Sequence, residues 1–287
     1  MKNKEGFIDV VGCRVWFKIV GIENKTPPLL VIHGGPGISH DYLEPLEELA
    51  IDRSVIFYDQ LGNGKSDKPD NPDLWVLERF VEELSQVRSY LRLDKVHILG
   101  HSWGTMLAVA YMQDRKPKGV ESLILSAPCL SVSRWEKDQR SYLKEFSQEF
   151  QKIIYEAESC NYFEEKYQNA MMEYYKLLVC RKKIWPDCLN RSFSQLAMNI
   201  YGKMWGPSEF TVTGNLKNFE RAERLEEIGI PTLFTCGEFD EATPETTSYY
   251  KSCAKNSVLK VFKGASHVHH LENKEEYINT VRSFVLN

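Results

Sequence analysis

The hydrophobic pattern divides the chain into two kinds of territory. Residues 7–11 and 14–20 are rich in β-branched and aromatic side chains and flank Gly12-Cys13, which predicts an opening β-hairpin. Four short apolar runs follow: Leu29-Leu30-Val31-Ile32, Val55-Ile56-Phe57-Tyr58, Val96-His97-Ile98-Leu99 and Leu123-Ile124-Leu125. Runs of this length and character are expected of strands buried on both faces. Between them lie stretches with helical spacing. One spans residues 74–93, with apolar positions at Leu77, Phe80, Val81, Leu84, Val87 and Leu91. A second is expected over 41–50 with Asp41 as its N-cap, and a third over 105–115. Strands alternating with helices in this way predict an α/β protein with a mostly parallel sheet.

The alternation stops after Pro128. Residues 130–224 show no strong strand signal, only aromatic and charged stretches at helical spacing, including 142–155 and 162–179. Strand patterns resume at 230–236 and 258–262, and Tyr277, Val281, Phe284 and Val285 mark a closing helix. The expectation is an eight-stranded sheet domain formed by residues 1–128 and 225–287, with a helical cap, 129–224, inserted after the sixth strand.

Composition narrows the function classes. The chain has 287 residues, 43% of them hydrophobic, enough to bury a substantial core. A net charge of −4 without a basic run argues against nucleic acid or an anionic membrane as partner. The apolar runs are too short to span a bilayer, and no apolar segment follows Met1 to Gly6 as a signal peptide requires. Seven cysteines, an odd number without a C-x-x-C pair, fit reduced thiols in a cytoplasmic protein better than a disulfide framework or a metal site. No cofactor is implied.

The chemistry centres on Gly100-His101-Ser102-Trp103-Gly104, a G-x-S-x-G sequence between a predicted strand and a predicted helix. Such a turn lifts a serine hydroxyl clear of the sheet and sets the following N–H, that of Trp103, at a helix N-terminus. A serine needs a base within reach, oriented by a carboxylate, and in this topology both sit on loops after later strands in the order serine, acid, histidine. Gly237-Glu238-Phe239-Asp240-Glu241 follows the seventh predicted strand. Lys263-Gly264-Ala265-Ser266-His267 follows the eighth, and His267, nearest the turn, is the candidate base. His269 and His270 are expected in a solvated loop or a supporting role, His97 in the core, and His40 at the surface before a helix. The glycine-rich loop His33-Gly34-Gly35-Pro36-Gly37 suits a second oxyanion donor beside Trp103, with Gly35 as the candidate amide.

Taken together, His33-Gly34-Gly35-Pro36-Gly37, Asp59-Gln60-x-Gly62-x-Gly64-x-Ser66 and Gly100-His101-Ser102-Trp103-Gly104 resemble the proline iminopeptidase family of α/β-hydrolases over nearly the whole chain. The resemblance implies an α/β-hydrolase fold with Ser102 as nucleophile, Asp240 as acid and His267 as base. It also implies small peptides with a free N-terminus as substrates. Their ammonium group calls for carboxylates near the scissile bond. Glu241, next to the acid, is one candidate. Glu209, in Met204-Trp205-Gly206-Pro207-Ser208-Glu209-Phe210, is the other, because that stretch is similar to the cap motif of the tricorn-associated aminopeptidases. Trp205 is a candidate wall for a proline ring. Thr105 departs from the glycine that often follows this elbow. The rival expectations are a carboxylesterase or broader aminopeptidase on the same scaffold and a non-catalytic binding module. Oligomeric state is unread.

Overall fold

A computed structural model describes residues 2–22, 25–160 and 165–286. Its eight strands are β1 (Asn3–Val10), β2 (Cys13–Val20), β3 (Leu29–Ile32), β4 (Val55–Tyr58), β5 (Val96–His101), β6 (Val120–Ser126), β7 (Thr232–Gly237) and β8 (Ser257–Phe262). They form one sheet in the order β1-β2-β4-β3-β5-β6-β7-β8. β1 pairs antiparallel with β2, and β2 with β4, whereas every later pairing is parallel.

The buried strands divide their side chains between two layers, as a period of two requires. Leu30 and Ile32 face a core built with Phe80, Leu84 and Leu107, which belong to α1 (Leu77–Tyr90) and α2 (Trp103–Arg115). Leu29 and Val31 face the opposite layer, with Leu43, Leu46, Tyr277 and Val281. The continuous apolar runs arise because neither face of these strands meets water. The chain runs from β3 to β4 on one side and then returns to place β5 on the other side of β3. The carboxyl ends of β3 and β5 therefore border the crevice where such sheets bind ligands. Both glycine-rich motifs sit there.

Between β6 and β7 the described residues form α3 (Val132–Leu143), α4 (Gln148–Cys160), α5 (Glu165–Leu178), α6 (Asp187–Ser194) and α7 (Met198–Met204). β-Pairing among the described residues of this insertion is confined to an isolated antiparallel bridge between Ser131 and Glu220, outside the named strands. Leu143, Phe150, Ile154, Tyr167, Tyr174 and Phe210 make a separate apolar cluster within this insertion. After β7 come α8 (Pro244–Cys253), α9 (His269–Glu272) and α10 (Lys274–Leu286).

Several expectations shift in detail. The stretch read as one helix over 142–155 breaks between Leu143 and Gln148. The start of the expected 162–179 helix, Tyr162 included, lies outside the described residues, as do Met1 and Asn287 at the expected domain ends. Residues His40–Ile51 form successive 3₁₀ turns rather than an α-helix, with Pro45 inside the segment, and Ser39, not Asp41, precedes it. Proline lacks the N–H that a regular ladder needs, which accounts for the tighter, interrupted turns.

Candidate active site

The G-x-S-x-G sequence joins β5 to α2. Ser102 sits at φ 54°, ψ −122°, a backbone region that side-chain-bearing residues seldom enter. Its neighbours make that turn feasible. A Cβ on Gly100 would lie 2.4 Å from the Gly104 carbonyl oxygen, and one on Gly104 would lie 2.3 Å from the Ile32 carbonyl oxygen. The strained turn thus depends on close approach of bare backbone. Gly104→Ala should destabilise the fold by at least about 2 kcal/mol, read as a drop in the urea midpoint, because backbone cannot yield as a flexible side chain does.

The turn is tied down on three sides. Ser102 N–H donates to the Ser126 carbonyl at 3.0 Å, and the Ser102 carbonyl accepts from Thr105 N–H at 2.8 Å. The Thr105 hydroxyl also donates to the Ser102 carbonyl at 2.6 Å while accepting from Cys129 N–H at 3.2 Å. Thr105, the departure from the usual glycine, thereby pins the elbow to the loop after β6.

The loop after β3 holds the candidate oxyanion amide of Gly35. Gly34 N–H is already committed to the Tyr42 hydroxyl at 2.8 Å, and Pro36 has no N–H. Gly35 is the amide left between them. Trp103 N–H is the first of α2, among the amides with no acceptor inside the helix. The Asp59-Gln60 motif braces this arrangement. Trp103 Nε1 donates to Gln60 Oε1 at 2.8 Å, and Gln60 Nε2 donates to the His33 carbonyl at 3.0 Å. Gln60 N–H donates to His33 Nε2 at 3.0 Å. That bond requires a neutral ring, and burial lowers His33 to about 4, against the pull of Asp59. His40, expected at the surface, is instead 4% exposed. Its Nδ1 and backbone N–H both bond Asp59 Oδ1, at 2.8 and 2.9 Å, and its ring lies 4.5 Å from that of Trp16. It belongs to the brace.

Asp240 and His267 meet from the loops after β7 and β8. His267 Nδ1 lies 2.8 Å from Asp240 Oδ1, and Asp240 also accepts N–H bonds from Gly237 at 3.1 Å and Ala242 at 2.8 Å. Burial alone would raise the Asp240 carboxyl, but the facing His267, joined by His269, holds it down at about 2. His269 and His270 are buried rather than solvated. His269 Nδ1 stands 3.6 Å from Asp240 Oδ2, and its Nε2 lies 2.9 Å from the Thr235 hydroxyl, behind the acid. His101, inside the elbow, links two loops: Nε2 donates to the His267 carbonyl at 3.0 Å, and Nδ1 accepts from the Tyr42 hydroxyl at 2.9 Å. The other face of His267 is unexpected. Its Nε2 lies 3.4 Å from Glu241 Oε1, and among the described residues no hydrogen bond joins it to Ser102 Oγ.

Ser102, His267, Gly35, Trp103, Glu209 and Glu241 all line one cavity of about 280 Å³, together with Trp135, Tyr201 and Trp205. All eight side-chain and backbone candidates from the sequence except the fully buried Asp240 therefore border a single space. Burial raises the Glu209 carboxyl, and the Tyr201 hydroxyl, which donates to Glu209 Oε1, opposes that rise. Burial likewise raises Glu241; His267 opposes it, and Glu209 and Asp240 reinforce it. Glu241 Oε2 accepts from the Tyr174 hydroxyl at 3.1 Å, and its backbone carbonyl accepts from Gln139 Nε2 at 2.8 Å. Tyr174, Tyr201 and Gln139 escaped the sequence reading. Aromatic richness between β6 and β7 was the available signal, but it does not say which hydroxyl finds which carboxylate.

Comparison with known proteins bears on this geometry. The family model described as the alpha/beta hydrolase fold matches residues 27–274. The chain is 49% identical over 283 residues to the proline iminopeptidase of Heyndrickxia coagulans, spanning 98% of both chains. It is 37% identical over 290 residues to that of Lactobacillus helveticus, spanning 99% of this chain and 98% of the relative. Among solved structures, the proline iminopeptidase of Mycobacterium smegmatis superposes with a TM-score of 0.89 at 32% identity, covering 98% of this chain and 97% of that one. The crystal structure of VinJ superposes with a TM-score of 0.93 at 29% identity, covering 98% of each chain.

Proposed function

This chain belongs to the proline iminopeptidase family of alpha/beta-fold hydrolases, and on that premise we propose that it releases the N-terminal residue, proline by preference, from small peptides through an acyl-enzyme. The observation that carries the reading is the placement of two buried carboxylates, Glu209 and Glu241, in the same cavity as Ser102 and His267. A neutral ester has nothing to offer that pair. A peptide N-terminus has a cation.

In this reading Glu209 and Glu241 accept hydrogen bonds from the ammonium N–H groups. Proline suits them, because a protonated secondary amine has two N–H donors for two carboxylates, while the apolar ring packs against aromatic walls that include Trp205. Ser102 Oγ attacks the first carbonyl as its proton passes to His267 Nε2, and Asp240 holds the imidazole and balances the imidazolium. The amides of Gly35 and Trp103 receive the developing oxyanion. His267 returns the proton to the departing amine, and water, activated the same way, cleaves the acyl-enzyme.

Residues 129–224 act as the cap in this scheme, delivering Glu209 and most of the aromatic wall. The seven cysteines are free, which suits a cytoplasmic setting, and no described helix is long and apolar enough to cross a membrane.

Comparing L-prolyl arylamide with its N-acetyl derivative tests the proposal. Acetylation removes the charge, and kcat/KM should fall by at least about 10²-fold, the loss of one or two charge-assisted bonds. Equal turnover of both would return the site to a general esterase or amidase.

A further inference from the structure

The position of Glu241 has a consequence for the base itself. With Nδ1 of His267 donating to Asp240, Nε2 faces the Glu241 carboxylate at 3.4 Å. That is an ion-pair distance, and a buried carboxylate so close to the ring favours a proton on Nε2. With Nε2 protonated, its lone pair is occupied and cannot accept the Ser102 proton.

We propose that Glu241 keeps His267 inactive in the empty site, and that the substrate's ammonium group, by taking over as the counter-ion of Glu241, releases that proton and frees the base. This rests on the reading of Glu241 as an ammonium acceptor and extends it from binding to activation. The proton inventory balances. On binding, the cation displaces one proton from the Glu241–His267 pair to solvent. In the attack, the Ser102 O–H proton passes to the vacated Nε2 as the Oγ–carbon bond forms, and it leaves later on the amine product. The device makes a free N-terminus a condition for catalysis as well as for affinity, so blocked peptides and stray esters meet an unready nucleophile.

The surroundings of His267 support this. Burial would lower an isolated imidazole, yet Glu241 and Asp240, joined by Glu209 across the cavity, hold His267 up at about 9. His101 faces it from the elbow with ring centroids 4.9 Å apart, and Trp135 of α3 faces it at 6.4 Å. Burial holds His101 well below the usual imidazole range, and His269 and His270 beyond it also oppose a charge there. His270 itself is lowered to about 3, mainly by burial. The carboxylates therefore set the protonation of the ring, and of these Glu241 alone touches Nε2.

The test is the pH dependence with which a neutral fluorophosphonate labels Ser102. In the wild type the labelling rate should rise with pH through an inflection well above the ordinary imidazole range. Glu241→Gln should move that inflection down by one unit or more, speeding labelling at pH 7 by at least about tenfold. L-Prolinol, a cationic amine without an acyl group, should accelerate labelling of the wild type at pH 7 and leave E241Q unaffected. Calorimetry of prolinol binding in buffers of different ionisation enthalpy should show release of up to one proton from the wild type, a readout that needs no variant to fold. A labelling profile in E241Q that coincides with the wild type, or prolinol binding without proton release, overturns the proposal. Amine recognition is scored separately: a KM for prolyl arylamide that rises in E241Q keeps it standing even if the gating fails, and an unchanged KM removes Glu241 from it.

Discussion

Replacing Ser102 by alanine should lower kcat on L-prolyl arylamide by about 10⁶-fold, the loss seen when an acyl-transfer nucleophile is deleted and only the oxyanion site and binding remain. Binding should survive. Glu209 and Glu241 do not touch the removed oxygen through any hydrogen bond in the structure, so the affinity for prolinol should stay within a few-fold of wild type. The substitution also relieves nothing that holds the turn together. The backbone bonds of Ser102 to Ser126 and Thr105 persist, and alanine carries the same Cβ into the same φ of 54°. Loss of turnover with unchanged thermal stability and unchanged prolinol affinity is therefore the expected signature. Substantial turnover by S102A would mean that another group supplies the nucleophile, and the assignment of the elbow would fall.

Much of this site is legible in the sequence because local backbone rules dictate it. A strand that must turn sharply into a helix needs bare backbone on both sides of the apex, and Gly100 and Gly104 record that need one residue at a time. The order of strands likewise points to the loops after β7 and β8 for an acid and a base. Topology reaches the loops, while the choice of Asp240 among Glu238, Asp240 and Glu241 comes from the family resemblance and that of His267 from its place beside the turn. What is not legible depends on contacts between distant segments. His40 reads as a surface residue because nothing near it in sequence announces Asp59, nineteen positions on, as its partner. His269 and His270 read as solvated or supporting residues because the stretch after His267 looks like a loop, whereas a short helix buries both, with His269 behind the acid and His270 against the Tyr42 carbonyl. The break between α3 and α4 is a packing outcome that side-chain periodicity across 142–155 does not mark. Above all, the proximity of Glu241 to His267 Nε2 comes from side-chain direction. Sequence adjacency to Asp240 puts Glu241 in the neighbourhood but cannot say which nitrogen it faces.

Glu209→Gln should separate recognition of the amine from the chemistry. The change keeps size and shape and leaves the Tyr201 hydroxyl an oxygen to donate to, so the fold is expected to hold. It removes one of two charges that face the substrate cation. Hydrogen bonds to charged groups contribute about 1.5–3 kcal/mol, so KM for prolyl arylamide should rise by roughly 10- to 10²-fold. If Glu209 binds ground state and transition state alike, kcat should change little, and the loss should sit in KM. A small neutral ester should be hydrolysed at no less than the wild-type rate, because its binding never used the charge and the Glu209 carboxylate only helps to keep His267 protonated. The ratio of free to N-acetylated substrate should fall accordingly. The pH dependence adds a sign. Burial raises the Glu209 carboxyl, so in the wild type amine affinity should weaken as pH falls through that elevated range, where protonation removes the charge. Glutamine has no such titration, and the acid limb contributed by Glu209 should vanish in the variant while the limb set by His267 remains. A KM that stays at the wild-type value with an unaltered acid limb would show that Glu209 lies in the cavity without reading the N-terminus, leaving Glu241 to carry the selection by itself.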